Sequence, residues 1–129
     1  MKKILIVEDD HDLALGLSIR LKAAGYGVLV AQDGLSVMTA ALKHSPDLIL
    51  LDIGIPGGDG VVVLDRLKHN VNTAFLPVIV LTGRDPATVK EKTLELGAVA
   101  FFQKPADNNE LLKMIRKHIS VGEVERSAQ

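Results

Sequence analysis

Four large aliphatic residues in a row, Leu48, Ile49, Leu50 and Leu51, run directly into Asp52, and the segment behind it, IGIPGGDG, carries no regular spacing. Similar apolar runs occupy residues 4–7, 28–31, 78–81 and 99–102. Runs this short, with no polar alternation, fit strands buried on both faces. Between them the apolar positions change to helical spacing. Leu13, Leu17, Leu21 and Ala24 step by four and three, and Gly25 follows as a stop. Leu35, Met38 and Leu42 mark a second helix after Asp33-Gly34, and Val61, Leu64 and Leu67 a third after Asp59-Gly60. Val89, Thr93 and Leu96 mark a fourth, closed by Gly97, and Leu111, Leu112, Ile115 and Ile119 a fifth.

The pattern is a strand followed by a helix, five times over. Such alternation with short links predicts an α/β domain: a (βα)5, doubly wound, five-stranded parallel sheet with helices on both faces. In these sheets ligands bind beyond the carboxyl ends of the strands, where the strand order reverses. The residues that follow each apolar run are therefore the candidates for chemistry. They are Glu8, Asp9 and Asp10; Gln32, Asp33 and Gly34; Asp52; Thr82, Gly83 and Arg84; and Gln103, Lys104 and Pro105.

Composition narrows the function. At 129 residues the chain is sized for one domain, read as residues 1–120, with 121–129 a short polar tail or a truncated linker. The formal net charge of -1 gives no electrostatic pull toward nucleic acid or membrane. With no cysteine there is no disulfide framework, thiolate metal site or Cys nucleophile, which agrees with a reducing cytoplasm. The first apolar run is too short for a signal peptide or a membrane span.

If the first and third strands are neighbours, Glu8, Asp9 and Asp52 meet at one end of the sheet. Three close carboxylates either raise their pKa values or hold a cation. Oxygen ligands without His or Cys suit Mg²⁺ or Mn²⁺, and Mg²⁺ commonly shares its shell with a phosphate. Thr82 adds a hydroxyl and Lys104 an ammonium. Acids, metal, hydroxyl and lysine together match the needs of a phosphoryl group, with Asp52 as nucleophile.

These residues carry a resemblance. ILIVEDD, LILLDIGIPGGDG, VIVLTGR and FFQKP, in this order and each at a strand end, are similar to the motifs of CheY-like response regulator receiver domains of two-component signalling, over about residues 2–119. The resemblance implies a flavodoxin-like receiver fold with strand order 2-1-3-4-5. It implies that Asp52 accepts a phosphoryl group from a sensor histidine kinase or phosphotransfer protein. Asp9 would hold Mg²⁺ directly, Glu8 through water, and Gly54 through its main-chain carbonyl. Thr82 and Lys104 would contact the phosphoryl oxygens, Thr82 and Phe101 would act as the switch pair, and Pro105 would follow a cis peptide bond. Output would pass through helix four, strand five and helix five to an effector protein or a further C-terminal domain. The domain itself would not bind nucleic acid.

Some positions depart from that pattern. Gly54 stands where a larger residue, often Met, is common, which predicts an open pocket. Phe101 lacks the hydroxyl of the commoner Tyr. Ala98-Val99-Ala100 lacks the acids that usually accompany dimerisation through helices four and five, so a homodimer is expected to be weak. Other readings stand beside the switch: a phosphorelay shuttle, or a pseudo-receiver that only binds. Taken singly, Glu8-Asp9-Asp10 is a solvated loop at a helix N-terminus, Asp52 a turn cap, Thr82 a helix-entry hydroxyl and Lys104 a surface lysine. Of the two adjacent aromatics, Phe102 is expected to be plain core. His11, His44, His69 and His118 are read as surface residues, and Gly57, Gly58 and Gly60 as a tight return into the third helix.

Overall fold

The computed structural model describes residues 1–55 and 59–120. Five strands, β1 (Lys3–Val7), β2 (Gly27–Ala31), β3 (Leu48–Leu51), β4 (Val78–Thr82) and β5 (Ala100–Gln103), form one parallel sheet in the order β2-β1-β3-β4-β5. Five helices alternate with them: α1 (His11–Ala23), α2 (Gly34–His44), α3 (Gly60–His69), α4 (Pro86–Glu95) and α5 (Asn108–His118). The order reverses between β1 and β3, so the expected crevice lies at their carboxyl ends.

Alternation along each strand divides the aliphatic residues between two layers. Leu5, Val7, Ile49, Leu51, Val78 and Val80 face α2, α3 and α4, packing with Val37, Ala41, Val63, Leu64, Leu67 and Val89. Ile4, Ile6, Leu48, Leu50, Ile79 and Leu81 face the other way, against Leu21 of α1 and Leu111 and Ile115 of α5. Every residue of β3 is buried, as a central strand covered on both sides requires.

All five helices begin on an aspartate. Asp10, Asp33, Asp59, Asp85 and Asp107 each accept a backbone N–H from two or three residues ahead, at 2.8–3.1 Å. The carboxylate satisfies an otherwise unpaired donor and sits at the positive end of the helix dipole, each cap contributing about 1 kcal/mol. Much of the acidity of this chain therefore serves helix starts. Gly25 and Gly97 end α1 and α4 with φ of 100° and 112°, the left-handed region that favours glycine.

Some sequence expectations shift. On α2 the buried stripe is Val37 and Ala41, whereas Leu35 and Leu42 are 78% and 48% exposed. The spacing picked one edge of an apolar helix, and the sheet covers its neighbour. The last strand begins at Ala100, not Val99, which is exposed, and Thr82 belongs to β4 itself instead of following it. The hydroxyl that opens α4 is absent: that cap is Asp85. Phe102 is not plain core, since it and Phe101 are both half-buried, packed against opposite layers. Gly57, Gly58 and residues 121–129 lie outside the described residues. All four histidines are exposed.

The connection from α3 to β4 is held from below. Lys68 donates from Nζ to the carbonyls of Ala74 and Leu76, at 3.1 and 2.6 Å, and Thr73 donates from Oγ1 to Leu67 at 2.7 Å. Burial pushes the Lys68 ammonium below its ordinary pKa. On the other layer Tyr26 donates its buried hydroxyl to the Ile119 carbonyl at 2.9 Å, tying α5 back to the entry of β2.

Gly60 is required by a close approach. A Cβ there would lie 2.2 Å from the Ile53 Cα and 2.6 Å from the Ile53 carbonyl oxygen, which accepts the Gly60 N–H at 3.1 Å. Gly60→Ala is expected to cost roughly 3 kcal/mol or more, read as a lower urea midpoint, because the clash is with backbone. Ser45, by contrast, ends α2 at φ 48° with a side chain. Ser45→Gly should raise stability by about 1 kcal/mol in the same assay, since glycine adopts this conformation without steric cost.

Candidate functional site

Parallel register brings the chemical groups together. Val7 pairs with Leu51, so Glu8 and Asp52, each one residue further on, leave adjacent strands side by side. Their backbones are still held there: Glu8 donates its N–H to Ala31 at 3.0 Å and Asp52 to Val7 at 3.1 Å. Lys104 donates its N–H to the Thr82 carbonyl at 2.8 Å, which fixes the end of β5 against β4. The Lys104–Pro105 peptide bond is cis.

Glu8, Asp52 and Thr82 are 3%, 8% and 1% exposed, whereas Asp9 faces solvent. Carboxylate oxygens of Glu8, Asp9 and Asp52 all lie within 4.8 Å of one another. The Lys104 ammonium sits between the two buried acids, 2.5 Å from Glu8 Oε1 and 2.9 Å from Asp52 Oδ2. Asp10, from the same loop, points away to cap α1. The expected cluster is therefore present, and the lysine read as surface when taken alone is turned inward.

Environment separates the two buried acids. Burial raises the Glu8 carboxyl, and this outweighs the bonds from Lys104 and the Asp10 N–H; the nearby charge of Asp52 pushes the same way. Burial acts on Asp52 too, but the Gly54 N–H at 2.8 Å, Lys104 and the Thr82 hydroxyl together bring its carboxyl below the ordinary 3.8. Asp52 is thus the more acidic of the two carboxyls. Burial lowers the Lys104 ammonium, yet its two carboxylate partners raise it above 10.5 overall.

Gly54 opens the mouth. A Cβ there would stand 3.4 Å from Asp52 Oδ1 and 4.0 Å from Thr82 Oγ1, so any side chain would lie over the Asp52 carboxylate. The same point lies 3.8 Å from the Nε of Arg84, whose NH1 is 3.8 Å from Asp59 Oδ1. Arg84 was among the strand-end candidates and closes the VIVLTGR motif, but the sequence assigned it no role, because its position over residue 54 is a matter of geometry. Phe101 pairs with Val80 in register and packs on the α2–α4 layer. Thr82, two residues beyond Val80, continues that face by strand alternation.

The comparisons agree with this geometry. Residues 4–116 match the response regulator receiver domain. The chain belongs to that family. It is 38% identical over 116 residues to the DNA-binding dual master transcriptional regulator RpaA of Synechocystis, covering 90% of this chain and 48% of RpaA, about half that relative's length. It is 35% identical over 118 residues to sporulation initiation phosphotransferase F of Bacillus subtilis, covering 92% of this chain and 94% of the relative. The receiver domain of a Pseudomonas aeruginosa sensor histidine kinase, solved with magnesium in its active-site cleft, superposes with a TM-score of 0.83 at 27% identity, covering 92% of this chain and 97% of that one. Receiver domains of two-component response regulators are signalling switches, and here the acidic cleft of the family is present as Glu8, Asp9 and Asp52. These hard oxygen donors, with no His or Cys among them, fit Mg²⁺ or Mn²⁺. Among the described residues no helix is long and apolar enough to cross a membrane.

Removing the ammonium leaves two buried carboxylates uncompensated. Lys104→Met is expected to cost on the order of 2 kcal/mol at neutral pH in chemical denaturation without divalent metal. The sign follows each group. The deficit shrinks in acid, as Glu8 protonates first from its raised pKa and Asp52 last from its lowered one. It also shrinks in base, once pH climbs past the raised pKa of Lys104 and the wild type loses the same charge.

Proposed function

We propose that the protein is a phosphorylation-activated switch in the cytoplasm, with Asp52 as phosphoacceptor for a sensor histidine kinase or a phosphotransfer protein. The observation that carries this reading is the Lys104 ammonium shared by Glu8 and Asp52, beside the Thr82 hydroxyl. A merely structural ion pair would not need an ionised aspartate facing an open mouth.

Asp52 attacks the phosphorus of the phosphohistidine through a carboxylate oxygen. The P–N bond breaks, its electron pair returns to the imidazole, and an acyl phosphate forms on Asp52. Lys104 faces the charge that develops on the transferred oxygens, and the Thr82 hydroxyl donates to one of them. Asp9, Asp52 and the carbonyl of Gly54, with Glu8 through water, would hold a divalent metal, which would supply charge neutralisation for that transfer. The product adds a charge of roughly -1.5 to -2 at the mouth. Thr82 then shifts toward the new oxygens, Phe101 turns into the space on its face of the sheet, and the surface of α4, β5 and α5 changes for a downstream effector protein or domain. A complete reversal of populations asks phosphorylation for about 5 kcal/mol in favour of the active form. The protein processes no separate substrate beyond its own phosphorylation and slow loss of phosphate.

A second reading, a relay that passes its phosphoryl group to another histidine, draws support from the near full-length match to a phosphotransferase. Incubation with acetyl phosphate and Mg²⁺ should add one phosphoryl mass to the wild type and none to Asp52→Asn, read by intact mass spectrometry. Thr82→Ala should still take up the group while losing the accompanying shift of the Phe101 ring signals in NMR. Equal mass gain in Asp52→Asn would place the acceptor elsewhere.

A further inference from the structure

The outward side of α2 has no part in the chemistry above. Between the Asp33 cap and Lys43 this helix carries no charged residue, from Gly34 to Leu42, although its outer side faces solvent. Leu35 and Leu42, seven residues apart and so on one side, are the leucines that the sheet leaves uncovered. Beside Leu42 the α3–β4 connection brings up Val71 and Phe75, 86% and 75% exposed, and the three line a groove of about 630 Å³ together with the buried Ala41 and Pro46. Large apolar side chains gathered on one surface mark a contact site. Charge stands only at the two ends of the helix. Asp33, at the N-terminus, spends one carboxylate oxygen on Ser36; Lys43 and His44, at the C-terminus, are exposed, and among the described residues neither Asp33 nor Lys43 has an ion pair. Lys3 adds a further cation at the C-terminal end, its Nζ on the His44 carbonyl at 2.5 Å, while Asp47 is engaged by the Lys3 backbone N–H at 2.8 Å.

We propose that α2, with the adjoining Val71 and Phe75, is the interface of a symmetric dimer with a second copy of this chain, the two α2 helices packed antiparallel. The pattern is self-complementary. A two-fold axis passing between Met38 and Thr39 sets Leu35 opposite Leu42 of the second copy, and Asp33 opposite its Lys43 and His44. Each helix N-terminus then lies at the other's C-terminus, so the dipoles attract as well as the end charges. A parallel pairing would set Asp33 against Asp33 and Lys43 against Lys43, and like charges disfavour it. Leu35 of one copy enters the groove that Leu42, Val71 and Phe75 form on the other. A uniformly acidic or basic peptide would meet its own sign at one end of the helix, whereas a second copy matches both ends. The face lies over β1 and β2, at the far side of the sheet from α4 and β5. Pairing through it therefore leaves the surface of α4, β5 and α5 free and needs no phosphoryl group.

Analytical ultracentrifugation of the 129-residue chain, without phosphodonor, should show a reversible monomer–dimer equilibrium over roughly 10 µM to 1 mM, the range for a contact smaller than the standard interface. Leu35→Glu or Leu42→Glu should weaken it about tenfold or more, because a carboxylate would be buried without a partner. Lys43→Glu should weaken it about threefold, by repelling Asp33 of the second copy. Leu94→Glu, on the exposed side of α4, should leave it unchanged. All four substitutions are at exposed positions, and thermal melting by circular dichroism checks that each variant keeps its fold. The chain has no cysteine, so single introduced ones report the geometry directly. Mixed under mild oxidation, Leu35→Cys and Leu42→Cys should cross-link to each other in preference to themselves, because like positions lie about 10 Å apart along the helix axes, beyond the reach of a disulfide. A chain still monomeric at roughly 1 mM overturns the proposal and leaves the face to a different partner. A dimer that Leu42→Glu leaves intact, one that Leu94→Glu dissociates, or self-cross-linking equal to the mixed product overturns it as well.

Discussion

One ammonium between two buried carboxylates is the interaction on which the rest of the site depends. Glu8 and Asp52 emerge from neighbouring strands at the same height because Val7 and Leu51 are paired, and two such charges left alone would repel in a medium that screens poorly. Lys104, two strands away from β3, closes that gap and divides its attraction between them. The lysine reaches across one intervening strand: β4 separates β3 from β5, and its last residue, Thr82, accepts the Lys104 backbone N–H through its carbonyl.

The fold was readable in the sequence because both-face burial leaves a plain mark. Leu48 to Leu51 could only be a covered strand, and five such runs alternating with helical spacing admit few topologies. The order of strands came from the family motifs, since apolar runs alone do not say which strand neighbours which. Element edges were harder. Thr82 and Gln103 are polar yet complete their strands, because the ladder between β4 and β5 continues past the last aliphatic residue. On α2 the large leucines at 35 and 42 suggested the buried face, but the sheet selects Val37 and Ala41, where small side chains allow close packing.

The site was legible where charge patterns were unusual and illegible where geometry makes the meaning. Glu8, Asp52 and Lys104 are strand-end groups that hydrophobic patterning leaves conspicuous. The aspartates that cap helices look no different in sequence from Asp9, yet Asp59 and Asp85 serve local N–H groups while Asp9 faces the cleft. Arg84 is marked in the sequence only as a strand-end residue, with no role attached. Its side chain lies beside the space left at Gly54 on the neighbouring strand end, and an absent side chain is visible only in space.

The contact between Gly60 and Ile53 gives the pocket two walls of unequal stiffness. Ile53, directly after the phosphoacceptor candidate, is fully buried, and α3 sits on its backbone so tightly that not even a methyl group fits between them. Across the mouth, a side chain added at Gly83 would meet nothing within 4 Å, and α4 beyond it buries only Val89 and Thr93. The α3 side of Asp52 is therefore packed backbone to backbone, and the α4 side is loosely packed. The cleft is clamped on one side and open on the other, and the clamp is the missing side chain of a single glycine.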